Sequence, residues 1–465
     1  MDGSITVVAL CREESSSFIR NGVPYKIDKT AQCISSIVNK LKMQLKVNIN
    51  RVYVGIGGQS IHSERNVNVR DLPNVEMITQ RMIDDIQETN RQMNYPGQYI
   101  LDSITQEYKV DNLLQNDPVG IQCRHLESNF LNILCREQFY NNLNECFEIA
   151  GIPIAEMILS PVALADSVLA DSEKRSGCVL VDLGADTTTV AVYHKNILRH
   201  LAVIPLGGSN ITRDIASQHI EEDMAEDMKL RYGTAYSDFI DTNDAVQYNA
   251  GEDKQISNIL FNDIVESRLR EIIENINCQI PKTYRDSLLG GLIITGGGCN
   301  MPNIEKAFVT YTGIQKVRIA KFVQQTINSH IEELSARNGM MNGALSILAK
   351  GEMCCTGEEF HQNEELFTQQ GEAAVDVSSP VVIDVSPQPK RQGVVITPVE
   401  IEAIEKRRAE EAAQAEAEAR AKAEAEAEKA KALAEEEAKR MADTGNKPSV
   451  GKRLKNWFRN FMSEE

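Results

Sequence analysis

The chain has no apolar run of the roughly 18–20 residues that a membrane-crossing helix needs. Its first residues lack a basic start followed by an apolar core, so no secretory signal is expected. An excess of cations is missing too. Sixty-seven acidic residues against 49 basic ones leave a net charge of −18. That excludes a general nucleic-acid binder, because phosphate recognition needs clustered positive charge. The ten cysteines show no CxxC spacing and are read as reduced thiols of a cytosolic protein. Neither a Walker A loop nor a GxGxxG fingerprint occurs. Tryptophan occurs once, at Trp457 near the C-terminus. What remains is ordinary for a soluble protein: 465 residues, 42% hydrophobic and 25% charged. Such a length suits two to four domains and a large core, and excludes a collagen-like, mucin-like or mainly disordered chain.

Residues 1–350 read as globular. Short Val/Ile-rich runs predict strands at 5–10, 52–56, 178–183, 189–193, 198–204 and 291–295. Amphipathic stretches predict helices at 28–45, 76–94, 138–150, 160–171, 212–232, 258–278 and 340–349. Strands interleaved with helices predict an α/β fold with a mixed or parallel sheet. Residues 351–399 are rich in Gly, Ser, Pro, Gln and acids, too polar to offset the entropy of ordering, and read as a flexible linker. Residues 400–447 are mostly Ala, Glu, Lys and Arg. Apolar residues larger than Ala almost vanish between Arg407 and Leu433, so no coiled-coil seam exists and a solvated helical spacer is expected.

The last segment, 448–465, differs again. Val450, Leu454, Trp457, Phe458, Phe461 and Met462 recur at helical spacing, flanked by Lys452, Arg453, Lys455 and Arg459. No acidic residue lies between Gly451 and Met462. Rings on one face with cations beside them are the pattern of a helix lying in an anionic membrane surface. A terminal helix docked on the globular body is the alternative.

The sharpest motif follows an apolar strand: Asp182-Leu183-Gly184-Ala185-Asp186-Thr187-Thr188. Glycine allows close backbone approach, successive N–H groups can nest an anion, and Asp182 at the strand end suits a Mg2+-bound or attacking water. A plain hairpin turn would use the same residues. A second apolar strand runs into Thr295-Gly296-Gly297-Gly298, where three glycines let a flat ligand lie against backbone. Glu226 and Lys229 lie three apart on one predicted helix face, a spacing that surface ion pairs share.

These residues resemble a known superfamily. The Asp182 motif resembles the second phosphate loop of the actin, heat-shock chaperone and sugar kinase ATPases, and residues 295–298 resemble their adenosine motif. Residues 336–344 resemble their second connecting helix, whose small-residue face packs two lobes together. Residues 204–216, 225–233 and 52–56, with the C-terminal amphipathic helix, are similar to the FtsA family of bacterial cell-division proteins.

The resemblance implies an actin-like two-lobed fold with ribonuclease H-like mixed sheets and an inserted subdomain. First-lobe core would fall at 1–58 and 130–177, the insertion at 59–129, second-lobe core at 178–212 and 286–350, and a second-lobe subdomain at 213–285. It implies ATP with Mg2+ as cofactor and no all-protein metal site. Asp182 would act on Mg2+ or water, and Gly184, Thr187 and Thr188 would hold phosphates. Glu226 and Lys229 would face ribose and adenine, and Gly296, Gly297 and Gly298 would back the nucleoside. Implied partners are the C-terminal tail of FtsZ on residues 213–285, further copies of the chain in a polymer, other division proteins, and an anionic membrane reached through Leu454, Trp457, Phe458, Phe461, Lys452, Arg453, Lys455 and Arg459. No nucleic acid is expected. The implied place is the cytoplasmic face of the inner membrane at the septum, with at most slow ATP hydrolysis. The family's first strand and first phosphate loop, of the form Asp/Glu-x-Gly-Ser/Thr, are expected to be missing: Asp2-Gly3-Ser4 mimics the loop, but no strand precedes it. A pilus or secretion ATPase and a sugar kinase are the alternatives. Neither explains a lipid-facing helix on a spacer.

Overall fold

The computed structural model describes residues 4–237, 247–250 and 255–356. In chain order the first part holds β1 (Ile5–Val7), a short hairpin of β2 (Ile19–Arg20) and β3 (Val23–Pro24), α1 (Ile27–Leu45) and β4 (Val52–Ile56). An inserted unit follows: β5 (His62–Met77), α2 (Gln80–Arg91), β6 (Gln98–Val110), β7 (Leu113–Gln115) and β8 (Gln122–Arg136). The chain then returns through α3 (Glu137–Ala150), β9 (Ile154–Leu159), α4 (Ser160–Val168) and α5 (Asp171–Ser176). The second lobe opens with β10 (Cys178–Leu183), β11 (Thr188–His194), β12 (Ile197–Ile204), α6 (Gly208–Ala216) and α7 (Glu222–Tyr232). It continues with β13 (Gln247–Asn249), β14 (Gln255–Ser257), α8 (Asn258–Gln279), α9 (Lys282–Arg285) and β15 (Gly291–Thr295). A 3-10 turn at Gly297–Asn300, α10 (Ile304–Thr312) and β16 (Val317–Ile319) complete it, and β17 (Ile327–Ser329), α11 (Glu332–Ser335) and α12 (Asn342–Ala349) follow.

β10 is apolar at consecutive positions because it is buried on both faces. Val179 and Val181 join one core with Ile211, Met228, Phe261 and Phe308, from α6, α7, α8 and α10. Cys178 and Leu180 join the other with Phe139, Leu164 and Leu345, from α3, α4 and α12. The sheet is mixed, as expected: β15 runs parallel to β10, while β11 and β12 are antiparallel. Its order is β16-β15-β10-β11-β12-β5-β8-β6-β7, so the inserted strands extend the second-lobe sheet. In the first lobe β4 pairs β9 in parallel, and β1 pairs β17 in parallel. α12 packs on α4 and β4. A Cβ at Gly55 would lie 2.1 Å from Ile347 Cδ1 and 2.8 Å from Ser160 Oγ, so a side chain there would displace the residues through which these elements meet. Lys350 Nζ, just past α12, binds Asp166 of α4 at 2.7 Å.

Several boundaries differ from the sequence expectation. The helix expected at 76–94 starts at Gln80, because Glu76 and Met77 belong to β5 and Thr79 caps the helix through Met82 N. The helix expected at 212–232 is two, α6 and α7, broken near His219, whose φ is +64°. Residues 160–171 divide after Val168, and the strand expected at 5–10 ends at Val7. The long strands β5, β6 and β8 were not read from the sequence. One face of their sheet buries Leu126 and Phe130 against Ile83 and Ile86 of α2, and a group of asparagines continues it. Asn90, fully buried, donates to Ser103 Oγ (2.6 Å) and Asn132 Oδ1 (2.7 Å), and Asn66 donates to Asn90 Oδ1 (2.7 Å).

The inserted unit meets the second lobe along a polar seam. Arg199, only 4% exposed, donates to Gln106 Oε1 at 3.2 Å, and Gln106 Nε2 donates to Leu198 O at 3.0 Å. His200 Nε2 faces Gln279 Oε1 and its Nδ1 faces Ser63 Oγ, each at 3.3 Å. An amide oxygen only accepts, so Nε2 carries the proton. Ser63 Oγ already accepts from Leu201 N, leaving its O–H to donate to Nδ1. The network therefore suits a neutral ring. Burial holds the His200 imidazole below its ordinary value; the Gln279 bond opposes this, and Arg65 and His62 reinforce it. A depressed histidine adds stability that is complete above the unfolded value, about 6.5, and is lost as pH falls below it. We expect the thermal midpoint to fall more steeply from pH 7 to 5.5 in the wild type than in His200→Gln. Equal slopes would remove this role.

Candidate functional site

β10 and β15 are parallel neighbours that end level, with Asp182 opposite Thr295. Glycine-bearing loops follow both. In parallel α/β sheets, ligands sit beyond the carboxyl ends of such strands.

The loop after β10 is a tight turn, with Gly184 N donating to Thr187 O at 3.0 Å. The N-terminus of α6 rests on it: Gly208 N donates to Gly184 O (3.0 Å) and Ser209 N to Ala185 O (2.8 Å). A Cβ at Gly207 would lie 2.4 Å from Ala185 O, so the helix can approach only through glycine. The two threonines differ. Thr188 is fully buried and its hydroxyl donates to Leu206 O at 2.8 Å, which fixes the loop. Thr187 is half-buried, and its hydroxyl has no partner among the described residues.

Lys229 and Glu226 reach the same place from α7. Lys229 Nζ donates to Glu226 Oε2 (2.6 Å), Thr212 Oγ1 (2.9 Å) and Gly208 O (3.2 Å), which occupies its three protons. Thr212 Oγ1 in turn donates to Glu226 Oε2 at 2.5 Å. The ammonium thus ties α6 to α7 beside the loop, and Glu226, more exposed, keeps its other oxygen free. Sequence spacing found the pair but not Thr212, which comes from another helix.

Asp182 carries no hydrogen bond or ion pair from its side chain among the described residues. Burial pushes its carboxyl up to about 6. Gly296, with φ +86°, lies against it: a Cβ there would be 2.4 Å from Asp182 Oδ1 and 2.6 Å from Leu183 O. A Cβ at Gly298 would lie 2.9 Å from Leu183 Cβ. These two glycines are thus demanded by the strand end itself. Gly297 is different, since a Cβ there would meet only Met340 Cγ at 3.7 Å. Asn342 fastens α12 to β15 by donating to Thr295 Oγ1 (2.9 Å) and Ala320 O (3.0 Å). On the first-lobe side Asn21 N donates to Asp186 Oδ2 at 3.2 Å, and Asn21 Nδ2 to Gln59 Oε1 at 2.9 Å. No pattern in the sequence marks that link.

The structure thus gathers Asp182, Gly184, Thr187, Glu226, Lys229, Gly296, Gly297 and Gly298 around one strand end, with Thr188 beneath the loop. Among the described residues no group of three or more His, Cys, Asp or Glu is arranged to hold a metal ion. The proposed membrane residues Lys452, Arg453, Leu454, Lys455, Trp457, Phe458, Arg459 and Phe461 lie outside the described residues. So do residues 1–3 and everything from 357 on.

The family model "Cell division protein FtsA" matches residues 179–336, and "SHS2 domain inserted in FTSA" matches residues 58–134. The cell division protein FtsA of Porphyromonas gingivalis is 29% identical over 344 residues, covering 71% of each chain. That of Neisseria meningitidis is 31% identical over 311 residues, 65% of this chain and 75% of its own. That of Bacillus subtilis is 27% identical over 316 residues, 65% and 70% of the two chains. Among solved structures, the PilM-PilN type IV pilus biogenesis complex covers 72% of this chain and 88% of its own at 15% identity. Its TM-score of 0.47 is too low to carry an argument. The insert between β4 and α3, the glycine loops at two level strand ends and the extent of the match agree: the chain belongs to the FtsA family of actin-like cell-division proteins.

Proposed function

We propose that this chain binds ATP with Mg2+ at the ends of β10 and β15, polymerises, and holds FtsZ to the cytoplasmic face of the inner membrane at the septum. The observation that carries the reading is the unpartnered Asp182 between two glycine loops, on a chain of this family. The residues fit the group. Gly184 and Thr187 offer backbone and a free hydroxyl to phosphates, with Thr188 fixing the loop below them. Glu226 presents a carboxylate oxygen toward a ribose, held in place by Lys229. Gly297 leaves room for a flat base, while Gly296 and Gly298 set its backing. Bound Mg2+ would supply positive charge and an ordered water, which the ionised Asp182 would orient. Any hydrolysis is slow, and the role is mainly structural.

The segment 213–285 is the proposed seat of the FtsZ tail. A groove of about 410 Å3 lies there between α6 and α8, lined by Asp214, Ser217, Gln218, Ile264, Ser267 and Arg268 among others. Arg268 is already held by Asp214 and Glu271, so it shapes the groove more than it offers a free cation. Other division proteins would join the assembled polymer.

The proposed domain limits remain those stated above, with a linker at 351–399, a spacer at 400–447 and a membrane helix at 448–465. Among the described residues no helix is long and apolar enough to cross a membrane. Membrane attachment therefore rests on the 448–465 pattern, and one short helix gives reversible binding that several copies in a polymer would strengthen. The test is recruitment of labelled FtsZ to anionic vesicles in MgATP. We expect recruitment with the wild type and at least a tenfold loss with Trp457→Glu. Unchanged recruitment by that variant would overturn the anchor.

A further inference from the structure

The last described residues are laid against the first lobe. The Tyr53 hydroxyl accepts from Glu352 N (2.9 Å) and Met353 N (2.6 Å). Asn50 N donates to Cys355 O (2.8 Å) and Asn50 Nδ2 to Thr356 O (3.0 Å). The chain thus leaves the described residues beside Asn50, at the entry to β4. Burial and Cys354 push the Cys355 thiol up while Arg51 pulls it down, so that guanidinium stands near the exit.

The surroundings of this exit are cationic. No acidic residue lies between Asp28 and Glu64, in a chain whose net charge is −18. α1 ends inside that stretch, with Lys46 at its C-cap. Lys40 is held by Glu13. Lys46 and Arg51 are exposed, and neither they nor Lys42 carry an ion pair among the described residues. Met43, a turn before Lys46, is 73% exposed. The negative end of the helix dipole accounts for Lys42 and Lys46. It accounts neither for Arg51 nor for an exposed thioether beside these cations.

The sequence that follows the exit has the opposite charge. Residues 357–364 contain Glu358, Glu359 and Glu364, and no Lys or Arg occurs before Lys390. Phe360 sits among these acids. Extended chain covers about 3.5 Å per residue, so Glu358 lies within about 7 Å of Thr356 and Glu364 within about 28 Å. Lys46 is at most about 14 Å along the chain from Asn50, and α1 rises only about 6 Å from Lys42 to Lys46. The acids therefore reach the cations, and attachment at Thr356 keeps them at a high effective concentration that free anions must overcome.

We propose that residues 357–364 dock back on the C-terminal end of α1, with Glu358 and Glu359 against Lys46 and Arg51 and Phe360 covering Met43. The free linker then begins near Glu364, and the cationic end of the first lobe is withheld from other anions. This contact is independent of ATP and FtsZ.

The test places a photoreactive benzoylphenylalanine at position 360 of the full-length chain and maps its cross-links by mass spectrometry. Isotope-labelled and unlabelled copies are mixed, to separate links within a chain from links between chains. We expect links within one chain to residues 40–51, about fivefold weaker at 1 M than at 0.1 M salt, where screening shortens from about 10 Å to 3 Å. Lys46→Glu with Arg51→Glu should remove them, and adding Glu358→Lys with Glu359→Lys should restore them. Both cations are exposed, and circular dichroism checks that the variants stay folded. Links spread evenly over the body, links mainly between copies, or no rescue in folded protein would each overturn the contact. Binding of a full-length Trp457→Glu chain to anionic vesicles through Lys46 and Arg51, with no link to residues 40–51, would assign this face to lipid instead.

Discussion

Asp182→Asn is expected to make the nucleotide-free protein more stable at pH 7.5 while abolishing MgATP binding. The carboxyl is half-buried with no partner among the described residues, and burial lifts it from an ordinary 3.8 to about 6. An acid whose folded value is raised is most at ease protonated. Its cost begins as pH rises past the unfolded value and is complete above the folded one. The window is therefore roughly pH 4 to 6, and above it the ionised group costs roughly 2–3 kcal/mol. The amide has nearly the same shape and no charge, so the variant's advantage should grow across that window and then level off. Binding moves the other way, because Mg2+ favours the ionised form and the wild type should bind MgATP less well below about pH 6. Thermal midpoints of both proteins at pH 4.5, 6 and 7.5, with titration of a fluorescent ATP analogue, check this. A variant less stable than wild type at pH 7.5 would mean that the carboxylate is satisfied in a way the structure does not show.

Gly296→Ala should lose roughly 2–4 kcal/mol of stability, and Gly297→Ala almost none. At Gly296 the backbone has φ +86° and a methyl would drive into Asp182 Oδ1 and Leu183 O, both fixed at the strand end. At Gly297 the methyl meets only the flexible Met340 side chain. The pair separates two reasons for a glycine. A folded Gly297→Ala protein that binds ATP tenfold more weakly would show that the nucleoside lies against this backbone. Unchanged affinity would move the nucleoside elsewhere. Urea unfolding of both variants supplies the stability comparison, and a loss below about 0.5 kcal/mol for Gly296→Ala would contradict the clash.

The parts legible in the sequence were those whose burial is apolar. β10 and β15 announce themselves as unbroken runs of Val, Leu and Ile, because both faces of each are covered. The glycines after them mark where backbone meets backbone. The inserted unit hid in part because Asn66, Asn90 and Asn132 interrupt its apolar core of Ile83, Ile86, Leu126 and Phe130, and asparagine in a sequence reads as a turn. The break between α6 and α7 hid for a related reason: His219 takes a left-handed backbone that glycine or asparagine would have signalled. At the site, Thr187 and Thr188 look interchangeable in sequence. Pairing of Thr188 with Leu183 turns its hydroxyl inward, and only the strand register separates the two.

The absence of a side chain at Gly55 has a mechanical meaning. Ile347 reaches the strand backbone there, so α12 lies closer to β4 than a side chain would allow. The same helix packs along α4, and Lys350, a turn further on, binds Asp166 of α4. A larger residue at position 55 would therefore press on the one helix that α4 also holds.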